Sequence, residues 1–191
     1  MILQVFPACL GVLLTATSVA AQEPAPPSGT QDAKVTVSIR DTAAPPEWEL
    51  SIPVAVKVAA DAEVGRLSMR LIYPVKALRY TSVRATEALK DAGFNVTASA
   101  PKITGDSAAL ALDIRAAGQQ QTALPSGTVA IVVFRVTKNA PEKSWPITAR
   151  DVEAWGVLPG SPRLTAAAAS AGKFTVTPPG LPILSCFFYM H

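Results

Sequence analysis

From Lys34 onward apolar residues recur at every second position, the period of a half-buried strand. Lys34–Arg40 sets Val35, Val37 and Ile39 on one side. Trp48–Val58 does the same with Trp48, Leu50, Ile52, Val54, Val56 and Val58, which predicts Trp48 as a core residue. Pro53 lies on the opposite parity and has no N–H to give, so an edge or a bulge is expected there. Arg66–Tyr73 turns Leu67, Met69, Leu71 and Tyr73 one way and Arg66, Ser68, Arg70 and Ile72 the other, and Pro74 stops it. Further strands are expected at Leu78–Arg84, Phe94–Ser99, Ala108–Arg115, Trp145–Ala149, Asp151–Trp155 and Lys173–Val176. Thr128–Val136 is apolar on both parities, which predicts a central, covered strand. Ala85–Ala92 alone favours a helix, capped by Thr86 and stopped by Gly93.

About nine strands at roughly 8–15-residue spacing with one short helix predict an all-β fold, an antiparallel β-sandwich. The helices between strands that a doubly wound α/β fold needs are missing.

Composition changes the picture at the two ends. Of 191 residues 49% are hydrophobic and 16% charged, which excludes a wholly disordered chain. Residues 1–21 contain no charge, run apolar from Ile2 to Leu14 and end Val19-Ala20-Ala21, the form of a secretory signal peptide without its usual basic start. Cleavage there removes Cys9 and leaves Cys186 alone, so no disulfide within the chain is expected. Residues 22–33 form a Pro-rich linker, 34–177 the sandwich and 178–191 an apolar tail. Within that tail Leu181–His191 is too short for the ~20 residues of a spanning helix. The chain is therefore expected to be secreted, in the extracellular space, at the cell surface or in the periplasm, with no transmembrane span.

Charge and chemistry exclude more than they suggest. The net charge of +3 is spread without runs, which argues against a nucleic-acid partner. The one histidine, His191, is the last residue, so no Ser-His-Asp triad and no His/Cys zinc site is expected. The close carboxylates Glu47/Glu49, Asp61/Glu63 and Asp151/Glu153 read as solvated turns rather than a glycosidase pair or a calcium loop. No cofactor, metal or catalytic residue is assigned. Asn95-Val96-Thr97 is a glycosylation sequon, read here as a chance match.

In order and spacing four segments resemble a cohesin domain: SIPVAVKVA (Ser51–Ala59), VGRLSMRLIYPVKALRYTSV (Val64–Val83), SGTVAIVVFRVTKNAP (Ser126–Pro141) and PITARDVEAWG (Pro146–Gly156). The resemblance implies a nine-stranded jelly roll without catalysis that binds a protein partner, a dockerin-like module, through one sheet face. It also implies kinship with carbohydrate-binding modules of similar topology; a link to polysaccharide degradation does not follow automatically from it. Two departures stand out. The family's Tyr-Asp-Pro turn is here Tyr73-Pro74. The outward positions that carry Asn and Asp in the best-known dockerin binders are here Arg66 and Ser68, which argues against that manner of recognition.

The candidate partner-binding residues are therefore Arg66, Ser68 and Arg70 on one outward face, where arginine suits paired contacts with carboxylates. The alternative is a polysaccharide partner stacked on Trp145 and Trp155.

Overall fold

The alternation becomes burial in a computed structural model that describes residues 33–118, 122–158 and 160–179. The signal-like segment, all but the last residue of the linker, the tail from residue 180, both cysteines and His191 lie outside the described residues. The strands are β1 (Val35–Ile39), β2 (Thr42–Ala44), β3 (Glu49–Val58), β4 (Val64–Pro74) and β5 (Leu78–Ala85). After helix α1 (Glu87–Asp91) come β6 (Phe94–Ala98), β7 (Lys102–Thr104), β8 (Ser107–Ala116) and β9 (Gly127–Val136). The last are β10 (Ser144–Gly156), β11 (Arg163–Leu164), β12 (Ala166–Ser170) and β13 (Gly172–Val176).

They form two sheets. One runs β12-β1-β3-β9-β5; the other runs β2-β13-β10-β4-β8-β6, with β7 on β8 and β11 on β10. The inward side chains of β4 and β8 (Leu67, Met69, Leu71, Leu110, Leu112, Ile114) share a core with those of β1, β3 and β9 (Val37, Ile52, Val54, Val132, Phe134). Removing each large side chain from water stabilises the fold by roughly 1.5–3 kcal/mol. No polar or charged residue is buried among those described. Tyr73 and Tyr80 stand edge-on to Phe134, with ring centroids 4.7 and 6.1 Å away. Burial, then the neighbouring Tyr80, pushes the Tyr73 phenol above its ordinary value.

The all-β sandwich expected from the sequence is present. Among the described residues it has thirteen strands rather than about nine, because β2, β7, β11 and β12 are short and carry little alternation. Nor is it antiparallel throughout: β1 pairs with β12, and β13 with β2, in parallel. Trp48 is a correction. It is 58% exposed, because it stands before the first residue of β3, where the core has already ended. Its parity was right and its depth was not. Pro53 lies inside a central strand, but the β1 ladder on that strand stops at Val54. The bulge that Pro53 suggested sits beside it, where Val129 of β9 is the extra residue opposite Val54 and Ala55. Val129 accordingly joins the core, while Val133, on the outward side beside Ser51 and Ser82, is buried outside it. The helix is capped as expected. Thr86 Oγ1 accepts from the Leu89 amide at 3.3 Å and donates to the Thr128 carbonyl at 2.9 Å. Gly93 follows the helix at φ 78°, a conformation that suits a residue without Cβ.

Candidate binding face

β4 lies between β10 and β8 in the larger sheet, so its outward residues occupy the middle of that sheet's solvent face. Register sorts the face into rows across the strands. Arg66 lies between Trp155 and Arg115, and Asn95 extends that row on β6. Ser68 lies between Glu153 and Asp113, with Thr97 beyond. Arg70 lies between Arg150 and Ala111. Ile72 lies between Thr148 and Ala109, and Lys102 of β7 follows Ala109. The face is thus banded: basic, acidic, basic, then uncharged except for Lys102 at its end.

The first two bands neutralise each other. Arg66 Nε donates to Asp113 Oδ1 at 2.9 Å, and the Arg115 Nε lies 3.6 Å from the other oxygen of the same carboxylate. Arg163, placed beside Trp155 by β11, reaches Glu153 at 2.7 Å. The Arg66 guanidinium also lies over the Trp155 ring, 4.9 Å from its centroid, which uses the ring's negative face. In the third band Arg70 pairs with Asp151 at 3.0 Å. An open depression of about 460 Å³ lies over the centre, lined by Arg66, Ser68, Arg70, Thr97, Asp113 and Glu153 among others. Such a surface can meet a partner by shape and paired charge.

All three predicted residues of β4, Arg66, Ser68 and Arg70, fall on this face. The two tryptophans do not come together. Trp145–Ala149 and Asp151–Trp155 are one strand, β10, interrupted by a bulge: Arg150 faces Arg70 and Glu153 faces Ser68, so Asp151 and Val152 oppose Met69 alone. Asp151 takes φ 49° at that step. Before the bulge odd residues point inward (Ile147, Ala149); after it even ones do (Val152, Ala154). Trp145 therefore packs against the core while Trp155 looks outward, about 30 Å further along the strand. The Trp145 indole N–H is buried without a hydrogen-bond partner, and the Lys143 ammonium lies 3.9 Å from the ring centroid.

Sequence reasoning missed Asp113, Arg115, Thr97, Arg150 and Lys102. Parity places Asp113 and Arg115 outward on β8, but only the pairing of β8 with β4 brings them to Arg66. Arg150 fell between two expected strands and belongs to one. Basic side chains engage members of the acidic couples: Asp151 pairs with Arg70, Glu153 with Arg163 and Asp61 with Lys34. The hydrogen bond from Lys34, and then its charge, hold the Asp61 carboxyl below its ordinary value. Among the described residues no group of three His, Cys, Asp or Glu side chains could hold a metal ion. Among them, too, no helix is long and apolar enough to cross a membrane.

The sequence profile of the cohesin domain matches residues 35–156. Solved structures of the same architecture include the seventh type I cohesin of ScaB from Pseudobacteroides cellulosolvens, with TM-score 0.59 and 19% identity over 78% of this chain and 95% of that one. The sixth cohesin of scaffoldin B from Acetivibrio cellulolyticus, solved with a dockerin, has TM-score 0.60 and 13% identity over 76% and 100%. A non-cellulosomal cohesin from the archaeon Archaeoglobus fulgidus has TM-score 0.55 and 21% identity over 76% and 92%. No curated protein matches the chain by sequence.

Proposed function

The chain belongs to the cohesin domain family, and on that premise we propose that it is a non-catalytic binding module whose partner is a dockerin-type module of another protein. The partner docks on the outer face of β10, β4, β8 and β6, centred on Arg66, Ser68 and Arg70. One observation carries the reading: that face gathers arginines, carboxylates and an aromatic ring around a depression. The outer face of the other sheet presents Ser51, Pro53, Ala55, Ser82 and Ile131 in its middle. The signal-like residues 1–21 support a site of action outside the cytoplasm, in an extracellular or cell-surface assembly. A link to polysaccharide degradation follows only if the partner is part of a hydrolase.

Titration calorimetry against a panel of dockerin modules tests this. Saturable binding to at least one of them, weakened by Arg66→Glu with Arg70→Glu, is the expected result. Retention on insoluble cellulose with no response to any dockerin overturns it in favour of a carbohydrate-binding module.

A further inference from the structure

The two ends of the binding face differ in how their charges are satisfied. At the Arg66 end every carboxylate is engaged: Asp113 by Arg66 and Arg115, Glu153 by Arg163. At the Arg70 end the balance is reversed. Arg70 and Arg150 stand directly opposite each other on β4 and β10, a like-charge pairing that costs the sheet stability. Asp151 answers Arg70 alone. Arg150 and Lys102 have no carboxylate partner among the described residues, and both are exposed.

Two of these cations, Arg70 and Lys102, border a concavity. Besides lining the central depression, Arg70 forms one wall of a second, of about 230 Å³, whose other walls are Ser99, Ala100 and Lys102 and whose floor is Ala109 and Ala111. Lys102 shares the outward side with Ala109, its register partner, because the next residue, Ala108, is buried. Two alanines leave room above the sheet between Arg70 and Lys102, and Arg150 stands beside Arg70 on the adjoining strand. A fold keeps like charges opposed at little benefit to itself; a bound anion turns the same arrangement into a fork of donors.

We infer that this end of the face receives a carboxylate side chain, Asp or Glu, of the docked module, seated over Ala109 and Ala111 between Lys102 and the Arg70–Arg150 pair. The inference rests on reading this face as the docking surface and adds the chemistry of the partner: acidic where it meets the Arg70 end. It also predicts discrimination, because a partner with Lys or Arg there meets uncompensated positive charge.

Two measurements test it. The first needs no dockerin. A tetraglutamate peptide is titrated into the isotope-labelled chain at low salt, with tetralysine as control, and amide and arginine Nε–H resonances are followed. Saturable shifts confined to Arg70, Lys102, Ala109, Ala111 and Arg150, removed by Arg150→Gln with Lys102→Gln, are expected. Shifts of equal size at Arg79, Arg84 and Arg135 on the opposite sheet overturn the site. The second uses any dockerin that binds. Arg150→Glu with Lys102→Glu weakens it by about 10- to 100-fold, the scale of hydrogen bonds to a charged group. Unchanged affinity there, while Arg66→Glu abolishes binding, removes this inference and leaves the docking face standing. Peptide binding at the site with no response to any dockerin does the reverse.

Discussion

The outer faces of the two sheets are built by the same alternation and carry different chemistry. On the five-stranded sheet the middle of the face is Ser51, Val133 and Ser82 in one row and Pro53, Ile131 and Arg84 in the next. Its charges are fewer in that middle: Arg84 on the edge strand reaches across β9 to within 3.6 Å of Glu49, and Arg79 lies beside Arg135. On the larger sheet Arg66, Arg70 and Asp113 stand on the adjoining strands β4 and β8, over a depression. Both faces are equally good lids for the core, so stability does not explain the difference. Exposed ion pairs contribute about 0–1 kcal/mol each, and moving them to the centre of a sheet gains the fold little. The arrangement makes sense as a surface to be covered.

The largest effect should come from the shared interior, which both faces need. Phe134→Ala should cost about 3–5 kcal/mol in denaturant unfolding. The outward Ile72→Ala on the neighbouring sheet should cost under about 1 kcal/mol. Equal losses would dissolve the distinction between interior and face. Next comes the join between β4 and the end of β10. A Cβ on Gly65 would lie 2.7 Å from the Val157 Cα and 2.9 Å from the Gly156 carbonyl oxygen, so backbone must move. Gly65→Ala should destabilise by about 1–3 kcal/mol. It should also displace Trp155 from Arg66, visible as a change in tryptophan emission.

Deleting Asp151 is a sharper test of the face. Without the extra residue Val152 meets Met69 in a regular ladder and Glu153, Ala154 and Trp155 keep their sides. The deletion should cost only about 1 kcal/mol, the size of an ordinary substitution, and leave Trp155 open to a soluble quencher. Loss of the fold would mean the bulge shapes the sheet rather than the surface.

The smallest effect is at Asp61. Its carboxyl titrates below the ordinary range in the folded chain because Lys34 holds it, so the pair stabilises at pH above that range and loses its contribution as pH falls through the folded value. Asp61→Asn should lower stability slightly near neutrality and converge with the wild type in acid. A constant difference at all pH would contradict the assignment.

Much of this was legible in the chain. Two-residue alternation identified nearly every core residue of β1, β3, β4 and β8, since one buried face per strand leaves a period that sequence displays directly. Thr86 and Gly93 announced the helix ends by side-chain chemistry and backbone freedom. What alternation cannot give is depth or pairing. Trp48 has core parity and stands beyond the core's edge. Trp145 and Trp155 have one parity and opposite sides, because Asp151 inserts a step that no local pattern reveals. Arg66, Ser68 and Arg70 were found from parity and family likeness. Asp113, Arg115, Arg150 and Lys102 join them only through register between strands far apart in the chain.

The central claim is that the partner covers the larger sheet's face and not the other. Cross-saturation from a bound dockerin module into the deuterated chain tests it most directly. The account predicts signal loss at Arg66, Ser68, Arg70, Thr97, Ala111, Asp113 and Glu153, with Ser51, Ser82 and Ile131 unaffected. Saturation of Ser51, Ser82 and Ile131 with the β4 residues untouched would contradict it.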